Sequence, residues 1–505
     1  MSAGIQREVA AAERAAAGSL LADTPTALLL NGVWCEASDG GTFAVENPAT
    51  GETLVRVASA TPTDGVAALD GAVAAQAAWA ATAPRERAEI LRRAFELLIE
   101  RREEFAQLIT LEMGKPIAES RGEVTYGAEF LRWFSEETSR ISGRYATAPD
   151  GNSRLLVLRR PVGPCLFVTP WNFPLAMATR KIAPAIAAGC TAVLKPAVLT
   201  PLTALRFAQV LQEAGLPDGV LNVIPTASAG AVTGPLIADP RLRKLSFTGS
   251  TPVGKRLIAD AAHGVLRVSM ELGGNAPFLV FPDADLDRAV DGAMLAKFRN
   301  GGEACTAANR FLVHESIAAD FAERLTARVA ALAVGDGSAA GTQQGPLVDR
   351  ATLEKVSELV ESARAEGAVA TTGGHALEGA GYFYAPTVLT GVAPGARILG
   401  EEIFGPVAPI TVFADEAEAI RLANDTEYGL VGYAYTRDLN RGLRLAEQLE
   451  VGMFGLNTGI VSNPAAPFGG VKQSGLGREG GAEGIEEFLE TTYVGIADPL
   501  LDAAA

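Results

Sequence analysis

A two-unit α/β protein with parallel sheets is the fold class that the sequence predicts, and three observations predict it. From residue 165, short apolar runs at 165–169, 192–194, 220–224 and 244–247 alternate with Pro- or Gly-bounded segments of helical length such as 203–214. That is the rhythm of a sheet buried on both faces. A second alternation follows, with helical spacing at 285–299, 317–333 and 351–366 and strand-like runs at 310–313, 408–413 and 431–436. Finally, 505 residues exceed one ordinary hydrophobic core, since domains average roughly 150 residues.

The remaining segments fit around these units. Residues 70–140 read as mainly helical, with Glu/Arg pairs along 85–104 and few breakers, so helices pack ahead of the first sheet. Between the alternating halves, residues 270–277 carry Gly273 and Gly274, where the backbone can turn sharply. The run 153–159 alternates apolar and polar residues, which suits an exposed strand able to pair with another chain. The expected division is 1–140 with 161–270 for one unit, 271–480 for the second, and 141–160 with 481–505 for a small oligomerisation element.

Charge and composition exclude several functions. The net charge of −16 repels phosphate backbones and anionic membranes, so neither nucleic acid nor a membrane surface is an expected partner. Cys35, Cys165, Cys190 and Cys305 form no CxxC pair, and His263, His314 and His375 lie in unrelated segments. No metal site or disulfide framework is indicated, and a reducing, cytoplasmic setting fits. Residues 1–24 are Ala-rich but carry Glu8, Glu13 and Asp23, which fits an exposed amphipathic helix better than a targeting peptide. No stretch reaches the roughly 20 apolar residues that cross a bilayer; even 182–194 is broken by Pro184 and Gly189.

A glycine-rich turn between a strand and a helix can hold a pyrophosphate. Residues 244–254 supply that order, with Gly249, Ser250 placed to cap the following helix and Pro252 in its first turn, where a missing N–H does no harm. A literal GxGxxG at Gly475, Gly477 and Gly480 follows a polar loop rather than a strand and reads as a turn. Cys305 lies on a small-residue loop, Asn300-Gly301-Gly302-Glu303-Ala304-Cys305, which lets a thiol meet a substrate. With so few histidines, the base for such a thiol is better sought at Glu271, where a carboxylate can take a proton from water. The other three cysteines sit near strand or core runs and read as buried residues.

Pro170-Trp171-Asn172-Phe173-Pro174, Phe247-Thr248-Gly249-Ser250, Glu271-Leu272-Gly273-Gly274-Asn275, Cys305, Glu402-Ile403-Phe404-Gly405-Pro406 and Pro467-Phe468-Gly469-Gly470 together resemble the aldehyde dehydrogenase superfamily, in order, over about residues 30–493. Within it the chain resembles bacterial succinate-semialdehyde dehydrogenases, through Thr179-Arg180-Lys181, Lys297-Phe298-Arg299-Asn300 and Gly459-Ile460-Val461-Ser462-Asn463. The resemblance implies a Rossmann-type cofactor domain, a second α/β catalytic domain and a small β oligomerisation element in a homodimer or homotetramer. It implies that Cys305 attacks the aldehyde, that the Asn172 amide and the Cys305 N–H hold the oxyanion, and that Glu271 activates water against a thioester. Lys195 and Glu402 would bind ribose hydroxyls, Trp171 and Ser250 the phosphates, and Phe404 the nicotinamide. Arg180, Arg299 and Ser462 would grip the carboxylate of succinate semialdehyde. A longer ω-carboxy aldehyde such as glutarate semialdehyde, a coenzyme A-acylating variant and a catalytically silent protein are the alternatives.

Three positions depart from the commonest pattern. Glu303 replaces a usual Gln, which implies that its carboxylate turns away from the thiolate it would oppose. Ala307 replaces the second cysteine that some relatives carry two residues after the nucleophile, so no regulatory disulfide is expected there. Val198 stands where many NAD-specific relatives carry a Glu that repels a 2′-phosphate. Without that repulsion, and with Lys195 nearby, the enzyme is predicted to accept NADP as well as NAD. Initial rates with the two cofactors check this, and strict NAD dependence would refute it.

Overall fold

The protein is described here by a computed structural model covering residues 18–497. Of the helix expected at the N-terminus, residues 18–23 are helical; the earlier part, like the tail beyond 497, lies outside the described residues.

The first sheet has eight strands, in the order β2 (Val33–Cys35), β1 (Leu28–Leu30), β9 (Leu221–Val223), β8 (Ala192–Lys195), β7 (Cys165–Val168), β10 (Lys244–Thr248), β11 (Arg267–Glu271) and β21 (Gly475–Leu476). The five strands from β9 to β11 run parallel. The apolar runs of β7 and of residues 192–194 in β8 are explained by burial on both faces. Alternate side chains of β7 divide between two cores: Cys165 and Phe167 face one, Leu166 and Val168 the other. The first core is roofed by helices α2 (Pro84–Glu100), α3 (Arg102–Met113), α4 (Ile117–Glu137), α5 (Ala176–Ala188) and α6 (Leu202–Glu213). The second is covered by α1 (Pro62–Ala81), α7 (Ala229–Ala238) and α8 (Thr251–Ala262). A Thr61/Asp64 capping box starts α1, satisfying orphan N–H groups at its first turn.

The second sheet has seven strands, ordered β14 (Val369–Thr372), β15 (Thr387–Thr390), β16 (Val407–Phe413), β13 (Ala308–His314), β12 (Ala276–Val280), β18 (Val431–Tyr435) and β19 (Met453–Leu456). Phe278 and Val280 of β12 enter one core and Leu279 the other, the same period-two division. Phe278 is fully buried, stacked on Tyr435 at 5.1 Å and tilted against Phe311 at 5.1 Å. Two short pairs complete the fold, β3 (Thr42–Asn47) with β4 (Glu52–Ala58) and β17 (Tyr428–Gly429) with β20 (Val471–Lys472).

Three features differ from the sequence expectation. The run 153–159 is not a free strand: β6 (Ser153–Pro161) is the middle of a three-stranded sheet, between β5 (Arg144–Thr147) and β22 (Leu489–Ala497). Its alternation was readable, but its partner lies more than 300 residues away, and the open edges belong to β5 and β22. The Gly475-Leu476 segment forms strand β21, antiparallel to β11, so the chain returns to the first sheet before residue 480. Gly273 and Gly274 have no positive φ; at Gly274 the close approach of the Cys305 carbonyl, not turn geometry, requires glycine.

Phe278→Ala would leave a cavity among packed rings and is predicted to lower stability by about 3–5 kcal/mol. Denaturant unfolding of the second unit measures it; a loss within about 1 kcal/mol would contradict the packing described.

Candidate active site

The parallel strands of the first sheet place their C-terminal ends along one rim. The sheet order reverses direction between β7 and β10, since β8 and β9 follow on one side and β10 and β11 on the other. A crevice opens at such a switch point. Trp171 and Asn172 follow β7, Gly249 and Ser250 follow β10, and Glu271 ends β11.

The second unit supplies the facing turn. Helix α9 (Leu286–Ala293) widens into a π-helical turn, Met294–Phe298, and then a tight turn, Arg299–Gly302. The helical run, expected as far as residue 299, extends to Phe298 with its last turn π-helical, and beyond it Asn300 at φ 56° and Gly302 at φ 74° turn the chain so that Cys305 is carried to the crevice. A Cβ on Gly302 would collide with the Gly405 carbonyl, and one on Gly274 with the Cys305 carbonyl. Only glycine permits backbones this close.

Two cavities meet at Cys305. One, of about 230 Å³, is lined by Trp171, Asn172, Thr248, Gly249, Ser250, Glu271, Lys355, Glu402 and Phe404. The other, of about 290 Å³, is lined by Glu119, Glu123, Tyr126, Phe173, Arg180, Arg299, Ser462 and Phe468. Cys305 and Met177 border both.

The first cavity has a donor set that suits a dinucleotide. Helix α8 starts at its edge, and Ser250 occupies the N-cap position without a side-chain cap bond. The expected capping by Ser250 is therefore not made, and the helix N-terminus is available to an anion. The Thr248 hydroxyl is buried without a partner. Glu402 accepts the Gly274 N–H at 3.1 Å, keeping a second carboxylate oxygen for a hydroxyl. Trp171 and Phe404 meet edge-to-face at 5.4 Å across the cleft. Lys195 and Val198 do not line this cavity. Lys195 ends β8, one strand away, its ammonium unpartnered among the described residues and pulled down to a pKa of about 8 by burial. Val198 is 37% exposed.

Burial dominates the electrostatics. It pushes the Cys305 thiol up to about 12, with the Arg180 guanidinium pulling the other way. Burial and the neighbouring Glu479 raise Glu271 well above the usual carboxylate range, and both its oxygens lack partners. A carboxyl so held suits proton transfer better than charge pairing. The Asn172 amide nitrogen donates to the Glu303 carbonyl at 3.0 Å, and the Cys305 N–H has no acceptor among the described residues. The Glu303 carboxylate turns away as expected, accepting the Val348 N–H at 3.0 Å.

The second cavity holds the three expected substrate residues, unequally. Arg180, 2% exposed, stacks 3.8 Å from the Phe468 centroid and stands 2.8 Å from Glu479. Lys181 binds the same carboxylate at 2.6 Å. Burial alone would raise Glu479, but Lys181 and Arg180 outweigh it and hold it below its usual value. Arg299 makes no ion pair among the described residues, and its guanidinium lies 5.6 Å from the Phe173 centroid. Ser462 faces the same space. The sequence reading missed Glu119, Gly122, Glu123 and Tyr126, which line the cavity from α4. Their spacing of three, four and seven marks one helix face and was the available signal.

The aldehyde dehydrogenase family model matches residues 34–494. A succinate-semialdehyde dehydrogenase of Paenarthrobacter nicotinovorans is 65% identical over 88% of this chain and 99% of its own. A glutarate-semialdehyde dehydrogenase of Pseudomonas putida is 49% identical over 93% of this chain and 97% of its own. The solved structure of an NADP-dependent enzyme of Escherichia coli superposes with a TM-score of 0.93 at 48% identity, covering 95% of this chain and 99% of that one.

A thiol with a pKa near 12 is mostly protonated at neutral pH, and only the thiolate is alkylated. Iodoacetamide alkylation of Cys305 without cofactor is therefore predicted to accelerate about tenfold per pH unit between about pH 7 and pH 9. A plateau within that range would refute it.

Proposed function

The chain belongs to the aldehyde dehydrogenase family and has its fold, and from that premise we propose that it oxidises succinate semialdehyde to succinate with reduction of NAD(P)⁺. The observation that carries this reading is the position of Cys305 on the shared border of the two cavities. One cavity suits the cofactor and the other an anionic aldehyde.

In this reading Cys305 loses its thiol proton to solvent and the thiolate attacks the aldehyde carbon, whose C=O π electrons pass to oxygen to give the thiohemiacetal oxyanion. The Cys305 N–H and the Asn172 amide stabilise its oxyanion; each such donor contributes about 3 kcal/mol in comparable sites. A bound nicotinamide supplies the acceptor for the hydride that leaves the thiohemiacetal. The product is a thioester on Cys305. Glu271 then takes a proton from water, whose oxygen attacks the acyl carbon and releases the acid. A water-activating carboxyl favours hydrolysis over transfer to coenzyme A. Trp171, Gly249, Ser250, Glu402 and Phe404 would hold the cofactor, with Lys195 and the absence of a carboxylate at Val198 favouring NADP.

Arg299, with Arg180 and Ser462, would bind the substrate carboxylate. The first sheet serves the cofactor, the second unit carries the nucleophile, and the sheet of β5, β6 and β22 assembles a homodimer or homotetramer through its open edges. None of the described helices is long and apolar enough to cross a membrane, and a cytoplasmic enzyme is the reading adopted. Glutarate semialdehyde is the second reading, since one methylene changes binding by only about 1–3 kcal/mol.

Cys305→Ala is predicted to lower NAD(P)H production by roughly a thousandfold or more; near-normal turnover would end this mechanism. Arg299→Ala is predicted to cost about ten- to a hundredfold in kcat/KM for succinate semialdehyde, the worth of a charge-assisted hydrogen bond. A neutral aldehyde of equal length should change little. Equal losses on both would remove the carboxylate-binding role.

A further inference from the structure

The loop that carries Asn172 is held from behind by a buried ion pair. Lys115, between α3 and α4, is 2% exposed. Its ammonium donates to Glu123 Oε2 at 2.6 Å and to the Asn172 main-chain carbonyl at 2.7 Å, and lies 4.0 Å from the centre of the Phe173 ring. Glu123, on α4, uses its other oxygen to accept the N–H groups of Leu175 at 3.0 Å and Ala176 at 3.3 Å, where α5 begins. One pair thus grips the loop at three main-chain atoms and one ring.

A second brace comes from the nucleophile turn. The Asn300 amide donates to the Asn172 carbonyl at 3.2 Å and to the Glu303 carbonyl at 2.8 Å. Its left-handed backbone is steadied by its own N–H, which donates to Glu119 Oε2 at 2.7 Å. The Asn172 side chain also reaches the Glu303 carbonyl. Asn172 is therefore fixed relative to Cys305 through hydrogen bonds that converge on two carbonyls, those of Asn172 and Glu303.

Burying two charges costs several kcal/mol per ion before their attraction is counted, so a surface hydrogen bond would have anchored a loop more simply. What the pair adds is rigidity at the Asn172 main chain. Lys115 does not line either cavity, so its influence on chemistry must pass through the loop.

We propose that Lys115 is a positioning residue for the oxyanion donor: through the Asn172 carbonyl, and with Glu123 at the start of α5, it sets the aim of the Asn172 amide at the Cys305 adduct. This rests on the function proposed above. A misplacement of about 1 Å can cost about a hundredfold in rate, so the loop's stiffness bears directly on the chemical step.

The test uses full-length Lys115→Met, which keeps the chain length but loses the ammonium, and Lys115→Met/Glu123→Gln, which removes both charges and leaves an oxygen to accept at Leu175 and Ala176. Rates are expressed per active site, counted by stoichiometric alkylation of Cys305. In both variants the single-turnover formation of NAD(P)H is expected to slow about 10- to 100-fold, with KM for cofactor changed less than about threefold. In an Asn172→Ala background, adding Lys115→Met is expected to change that rate by less than about twofold, because the residue acts through a donor already removed. An unchanged rate per active site in the double variant would overturn the proposal, as would a full additional loss in the Asn172→Ala background. Failure of the underlying function is separable, since the unmodified protein would then form no NAD(P)H from succinate semialdehyde, and failure of the Asn172 role alone would leave Asn172→Ala at full rate.

Discussion

How near two backbones can come decides what this molecule can do. The Cys305 carbonyl lies where a Cβ on Gly274 would stand, and the Gly405 carbonyl where one on Gly302 would stand. The Gly274 contact seats the turn that carries Cys305 against the chain leaving β11 of the first sheet, and the Gly302 contact packs that turn against the Gly405 loop of its own unit. Each unit alone has half a site: the first offers Asn172, Glu271 and a helix N-terminus, the second a thiol and Glu402. A side chain larger than glycine at Gly274 would push the Cys305 turn away from the first sheet.

Cys305 and Glu271, which line one cavity with Asn172, stood out in the sequence beside double glycines and at a strand end, whereas Asn172 was marked only by the resemblance of its aromatic-proline turn. The parallel sheets were legible for a related reason, since burial on both faces leaves short, mainly apolar runs. What was not legible depends on distant segments. Strand β6 showed its alternation but not its partner β22, which arrives more than 300 residues later. Glu119, Glu123 and Tyr126 sat on an amphipathic helix whose pattern looks like any solvent-facing stripe, and only folding turns that stripe toward the thiol. Lys115 had no local signal, as its partners come from α4 and from the loop after β7.

The polar interior near the thiol is arranged so that most charges are committed before any ligand enters. Lys115 belongs to Glu123 and to a carbonyl; Lys181 and Arg180 share Glu479. Committed groups hold geometry rather than bind newcomers, because moving them would leave a partner buried and unsatisfied. Glu271 stands apart from this order. With both oxygens unpartnered and its charge disfavoured by burial and by Glu479, its carboxylate has a raised affinity for a proton, which makes it a stronger base when it is ionised.

Arg299 is the remaining cation on the cavity wall without an ion-pair partner among the described residues. Arg180 lines the same wall, but its charge is already offset by Glu479, and its flat face is spent on Phe468. A carboxylate entering this space therefore meets one free guanidinium and one that would have to share. If the cavity takes an anionic aldehyde as proposed, the grip on its carboxylate falls mainly on Arg299, since Arg180 already holds Glu479 below its usual value. A single cationic grip of that kind sets the distance between carboxylate and aldehyde less tightly than two would. The same geometry that prefers an ω-carboxy aldehyde over a neutral one thus discriminates only weakly between neighbours in chain length, and what remains of that choice rests with the apolar walls, Phe173, Met177, Ile460 and Phe468.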